Sequence, residues 1–182
     1  MKRIHLILFS SGFAWLCNAQ TSDLPNIIDY TGKVNYGYQA KENRDIDIIV
    51  IHSSYYVNPD SFLVSGVMKQ YKQYGVSPHY IIDREGNIYL TVAEKNIAFH
   101  AGSGKLPGTD RTAINANSIG IEILTTPTNP PTEAELNALV SLVKDIKARH
   151  PIEHLVRHSD IAPNRKTDPW AFPWEQFLQM AD

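Results

Sequence analysis

The run Ile46-Asp47-Ile48-Ile49-Val50-Ile51 is a nearly unbroken series of β-branched apolar residues, closed by His52. A strand apolar on both sides belongs in the middle of a covered sheet, so residues 45–52 are expected to form a central strand. Ser118–Leu124 is expected to form a second strand, with Ile119, Ile121 and Ile123 alternating against Gly120, Glu122 and Leu124. Residues 79–83 and 88–92 flank Arg84-Glu85-Gly86-Asn87, the pattern of a β-hairpin with glycine in its turn. Residues 96–100 read as a short extended segment. Helical spacing appears in Leu63, Val67 and Tyr71, with Asp60 as the expected N-cap and Gly75 as the stop. Thr132 with Glu135 three residues on makes a capping box. The stripe Leu136, Leu139, Val140, Val143 and Ile146 follows it until Pro151 ends the helix. Residues 174–180 form a short closing helix. Strands with helices between and after them predict one α/β domain, a mixed central β-sheet flanked by helices.

Two stretches escape this patterning. Residues 20–44 are polar, contain Pro25, Gly32 and Gly37, and read as an N-terminal arm draped over the domain. Residues 101–117 hold three glycines and one proline. An irregular segment of that length is usually functional or disordered, so it is expected to line a binding groove.

The N-terminus adds a different signal. Lys2 and Arg3 precede an apolar run over residues 4–16, followed by Cys17-Asn18-Ala19. That order is expected to be a secretory signal cut after Ala19, and the run is short for a retained transmembrane anchor. The expected organisation is therefore a signal peptide over 1–19, an arm over 20–44 and the domain over 45–182. Export to a periplasm follows, with lipid anchoring through Cys17 as the alternative. Cys17 is the only cysteine, so the mature chain has no disulfide and no thiolate ligand.

The full chain has 182 residues, enough for one domain with its own core. Removing Lys2 and Arg3 from 17 basic residues leaves 15 against 19 acidic ones, a formal charge of −4. This argues against a nucleic-acid partner, and nothing in the pattern demands more than a monomer.

Candidate chemistry lies in the histidines. Of the seven, His5 falls in the signal, His150 ends a helix and His154 sits in a linker, which leaves His52, His79, His100 and His158. His158 opens a stretch that ends in Lys166-Thr167-Asp168-Pro169; residues i and i+2 of extended backbone face one side, so Lys166 and Asp168 can serve one site. His52, His158 and Asp168 together make two imidazoles and a carboxylate, a set that leaves a fourth position open, as catalytic Zn²⁺ sites do. Their separation in sequence leaves hydrogen-bonded rim residues as the other reading. Glu122 is either an outward-facing strand position or a general base beside a metal-bound water. His79 reads as a buried histidine bracing the sheet.

Five segments in order carry a family resemblance: Ile49-Val50-Ile51-His52, Ser77-Pro78-His79-Tyr80-Ile81-Ile82-Asp83, Ala98-Phe99-His100-Ala101-Gly102, Ser118-Ile119-Gly120-Ile121-Glu122, and His158-Ser159-Asp160-Ile161-Ala162-Pro163 through Asp168. Together they resemble the zinc-dependent N-acetylmuramoyl-L-alanine amidases, a group that also includes phage lysozyme-like amidases and peptidoglycan recognition proteins. The resemblance implies a peptidoglycan or muropeptide substrate, and Zn²⁺ held by His52, His158 and Asp168. It further implies Glu122 as the catalytic carboxylate and Lys166 as the oxyanion stabiliser. Phage-type members place a tyrosine before the hairpin histidine and a cysteine as third ligand. Pro78 and Asp168 stand there instead, so the chain resembles the bacterial, glutamate-bearing branch. His100 and Arg111 are expected substrate contacts, Arg111 through a stem-peptide carboxylate. The rival readings are a binding module that does not cut, which would lose a metal ligand, and a secreted antibacterial amidase.

Overall fold

The computed structural model describes residues 25–57 and 60–182. The expected signal peptide and Cys17 lie outside the described residues. In chain order the elements are β1 (Ile27–Asp29), β2 (Tyr38–Gln39), β3 (Ile48–Ser54), α1 (Val64–Tyr74), β4 (Tyr80–Ile82), β5 (Ile88–Leu90), β6 (Ile97–Ala98), β7 (Ser118–Leu124), α2 (Glu133–Arg149), β8 (His154–Arg157), α3 (His158–Ile161) and α4 (Trp174–Ala181).

Six strands form one sheet in the order β1-β5-β4-β7-β3-β8. The β4–β5 hairpin is antiparallel; the other four pairings are parallel. The expected mixed sheet flanked by helices is thus the observed architecture. Strands β3 and β7 lie side by side at its centre, and His52 is the direct partner of Glu122. Parallel strands all end on one edge of a sheet, and ligand crevices form beyond that edge. Here β3 ends just past His52, and β8 runs straight into His158.

One face of the sheet packs on α2 and α4. Ile49, Ile51, Ile119, Ile121 and Ile123 meet Leu139, Leu142, Val143, Ile146 and Phe177 there, all fully buried. Burying side chains of this size stabilises the fold by about 1.5–3 kcal/mol each. The α2 stripe is as expected except that Leu142 is buried while Val140 is only partly so. Its capping box forms: Thr132 Oγ1 accepts from Glu135 N at 3.0 Å, and Glu135 Oε2 accepts from Thr132 N at 2.8 Å.

Three expectations need correction. Helix α1 starts at Val64, not after Asp60, because Asp60 accepts the Phe62 and Leu63 amides in a turn of its own. Leu63 is consequently 45% exposed rather than buried. The N-terminal arm is woven in, not draped: β1 extends the sheet beside β5, and β2 pairs with β6. The irregular segment over 101–117 is also packed down. Its Leu106 and Ile114 are 1% exposed and join Ile48 and Val50 in a second core cluster.

Candidate active site

Alternation along β3 and β7 sends Ile51 and Ile121 into the helical layer and His52, Ser54, Gly120 and Glu122 to the opposite face. Asp168 reaches the same place because its segment is fixed. Its backbone carbonyl accepts from Ser159 N at 2.9 Å, and Trp170 N donates to Ser53 Oγ at 3.2 Å. His52, His158 and Asp168 are each at most 5% exposed.

One ligand atom from each of these three lies within 4.8 Å of the others. The hydrogen bonds around them show what they suit. A neutral imidazole has one N–H to give. His158 Nε2 stands 3.1 Å from the Ala101 carbonyl oxygen, while its Nδ1 stands 3.0 Å from Asp168 Oδ2. Both neighbours only accept, so a neutral ring would leave one nitrogen facing a lone pair with no proton of its own. His52 Nδ1 also points at Asp168 Oδ2, 3.7 Å away, while its Nε2 stands 2.9 Å from His100 Nδ1, a partner that can accept or donate. Converging lone pairs of this kind fit a bound cation. Ligands bonded at about 2.0 Å in a tetrahedron stand about 3.3 Å apart, between the 3.0 and 3.7 Å observed.

The electrostatics agree. Burial, followed by the neighbouring His158, holds the His52 pKa down at about 4, so the ring is neutral as a ligand must be. Burial opposes the Asp168 carboxylate, yet hydrogen bonds with His158 and His52 keep its pKa well below the usual range.

Glu122 is 8% exposed, which removes the reading of an outward, solvated strand position. Its Oε2 accepts from Ser54 Oγ at 2.9 Å, and Ser54 Oγ is in turn bonded to the Tyr71 hydroxyl. Burial, then the charge of Asp168, pushes its pKa up to about 8; the hydrogen bonds from Ser54 and Tyr71 work the other way. Ser54 and Tyr71 were not among the expected site residues. Ser54 was within reach, standing two residues after His52 and so on the same strand face.

Glu122, His158, Asp168 and Lys166 line one cleft of about 570 Å³, within the usual size of a small-molecule site. Tyr55, Tyr74, Phe99 and Trp170 are on its walls, and Tyr74 is 71% exposed. From 101–117, only Gly102 and Asn115 line it, so the expected groove-lining role of that segment is largely not met.

The two expected substrate contacts differ from expectation. Arg111 lies outside the cleft, its guanidinium gripping both oxygens of Asp47 at 2.7 and 2.8 Å. His100 lines the cleft, but Ser118 Oγ and His52 already occupy its two nitrogens. His79 is fully buried and accepts from the Gly120 amide at 3.1 Å, bracing the sheet.

A profile described as N-acetylmuramoyl-L-alanine amidase matches residues 42–171. The chain belongs to the N-acetylmuramoyl-L-alanine amidase family. Among curated amidases of this family, AmiD of Escherichia coli K12 is 35% identical over 172 residues, covering 79% of this chain and 58% of AmiD. The chain thus spans less than two thirds of the length of the curated amidases it matches. A crystal structure of a selenomethionine AmpD derivative superposes with a TM-score of 0.72 at 26% identity, covering 92% of this chain and 97% of that one. The E. coli AmiD complex with the substrate anhydro-N-acetylmuramic acid-L-Ala-D-γ-Glu-L-Lys gives a TM-score of 0.64 at 33% identity, covering 78% and 60%.

Proposed function

We propose that this chain is a zinc amidase that hydrolyses the bond between the lactyl group of N-acetylmuramic acid and L-alanine in muropeptides. The observation that carries it is the convergence of His52, His158 and Asp168, two of which line one cleft together with Glu122 and Lys166. Two imidazole nitrogens and one carboxylate suit Zn²⁺, and family membership supports the same ion. When bound, Zn²⁺ supplies a Lewis acid and lowers the pKa of water from about 16 towards about 7.

The chain's own groups do the rest. Glu122 takes the proton of the attacking water on a carboxylate oxygen and returns it to the leaving amine of L-alanine. A carboxyl group whose pKa lies near the working pH can do both; burial raises that of Glu122, and a bound cation would draw it back down. Ser54 and Tyr71 fix the carboxylate's orientation. Lys166 contributes positive charge as the carbonyl oxygen becomes an oxyanion, an interaction whose loss typically costs about 3 kcal/mol in the transition state. The exposed Tyr74 and the other aromatic walls offer flat apolar surface to a sugar face or peptide stem.

The AmiD complex holds an anhydromuramyl tripeptide, which supports a soluble wall fragment as the substrate here. The sequence supports export to a periplasm and a role in wall recycling, and nothing in it demands more than a monomer. No helix among the described residues is long and apolar enough to cross a membrane. The test is release of free stem peptide from defined anhydro and non-anhydro muropeptides, followed by mass spectrometry with and without a chelator. Chelator-sensitive release supports the reading; intact muropeptide bound by zinc-loaded protein favours a module that only binds.

A further inference from the structure

The two histidines of the metal site are held in different ways. His158 Nε2 faces a backbone carbonyl, that of Ala101, which accepts and never donates. His52 Nε2 faces another imidazole, His100 Nδ1 at 2.9 Å. An imidazole nitrogen either donates or accepts, so whatever fixes His100 also decides what His52 can do.

When Nδ1 of His52 is a ligand, its ring proton sits on Nε2 and His100 Nδ1 must accept it. The proton of a neutral His100 then sits on Nε2, where Ser118 Oγ lies 3.1 Å away to receive it. The backbone holds the ring in place for this. Asn115 Oδ1 accepts from both the His100 and Ala101 amides, at 3.3 and 2.9 Å, so one side chain anchors the neighbours of both metal histidines. Gly120 supplies the space: a Cβ there would stand 2.3 Å from His100 Cγ and 2.5 Å from its Nδ1. The face Ser118, Gly120, Glu122 of β7 therefore gives an acceptor, a gap and a carboxylate at successive positions turned away from the helices.

We propose that His100 is a positioning residue of the metal centre: its Nδ1 accepts the Nε2 proton of His52 and so presents His52 Nδ1 to the metal. This rests on the zinc reading above. Groups that orient ligand imidazoles typically change metal affinity about 10- to 100-fold when removed.

The test is zinc affinity of the purified chain, measured by competition with a chromogenic chelator after metal removal. His100→Leu removes the acceptor and keeps the bulk. His100→Asn offers Oδ1 near the place of Nδ1. Gly120→Ala displaces His100 without touching a ligand. Thermal unfolding of the metal-free forms checks that each is folded, and Gly120→Ala carries the test should His100→Leu not fold. The expected result is zinc binding weakened about 10- to 100-fold in His100→Leu and Gly120→Ala, with His100→Asn within about threefold of wild type. Long-range proton–nitrogen NMR of the zinc-loaded chain should show His100 neutral and protonated on Nε2. Wild-type affinity in His100→Leu overturns the proposal, as does an equal loss in His100→Asn, which would tie the effect to the ring rather than the acceptor. A wild-type chain that takes up no zinc sinks the metal reading itself and this proposal with it.

Discussion

On one face of β7, Ile119, Ile121 and Ile123 are fully buried against α2 and α4; on the other, Ser118, Gly120 and Glu122 are buried as well. The two faces exclude water about equally, yet they are built on different rules. The isoleucine face needs volume and contact, which many side-chain combinations can supply. The polar face needs a partner for every donor and acceptor, because a buried polar atom without one costs about 1–3 kcal/mol. Those partners come from distant parts of the chain: His100, His79 and, through Glu122, Ser54. Stability is concentrated on the first face and chemistry on the second, and each can be attacked separately.

Glu122→Gln should break the polar face most deeply, lowering turnover about 10²- to 10⁴-fold while zinc content stays at wild type. Full activity in that variant would remove Glu122 from the mechanism. The same substitution sharpens the comparison in metal-free protein. Glu122 has a folded pKa raised to about 8 from an ordinary 4.5, so its folded form holds a proton that the unfolded form has lost. Its contribution to stability is complete below about pH 4.5 and disappears as pH rises through about 8. Denaturant unfolding between pH 5 and 8 should therefore show wild type losing stability that Glu122→Gln retains; parallel curves would contradict the burial argument.

Lys166→Ala is next, with an expected loss of about a hundredfold in kcat and little change in zinc affinity. A change in KM alone would make Lys166 a binding residue. On the apolar face, Ile121→Val should cost about 0.5–1.5 kcal/mol of stability and leave kcat per bound zinc unchanged. A large fall in kcat there would show that the two faces are coupled. The smallest effect belongs to Arg111→Ala: its half-exposed pair with Asp47 contributes at most about 1 kcal/mol. KM should not move, and a raised KM would restore Arg111 as a substrate contact.

The sequence showed the isoleucine face more readily than the polar one because apolar alternation repeats locally. Strand β7 and the α2 capping box could be read from a handful of adjacent residues. The metal ligands could be reached only through residue types and the order of five segments, since His52 and Asp168 are joined by nothing local. What stayed hidden depends on long-range pairing. Three residues, Ile27-Ile28-Asp29, carry too little pattern to announce an edge strand beside β5. Arg111 looked free because Asp47, its partner, is 64 residues away. His100 looked like a substrate contact because nothing near it in sequence shows that His52 and Ser118 occupy both its nitrogens. A signal was present at Gly120: a glycine between Ser118 and Glu122 on one strand face marks a close approach, here by the His100 ring.

The most direct measurement is a crystal structure of the zinc-loaded chain with diffraction recorded on both sides of the zinc absorption edge. The account predicts one anomalous peak within about 2.0–2.2 Å of His52 Nδ1, His158 Nδ1 and an Asp168 carboxylate oxygen. A fully loaded protein whose peak lies elsewhere, or is bonded to fewer than these three side chains, would contradict it.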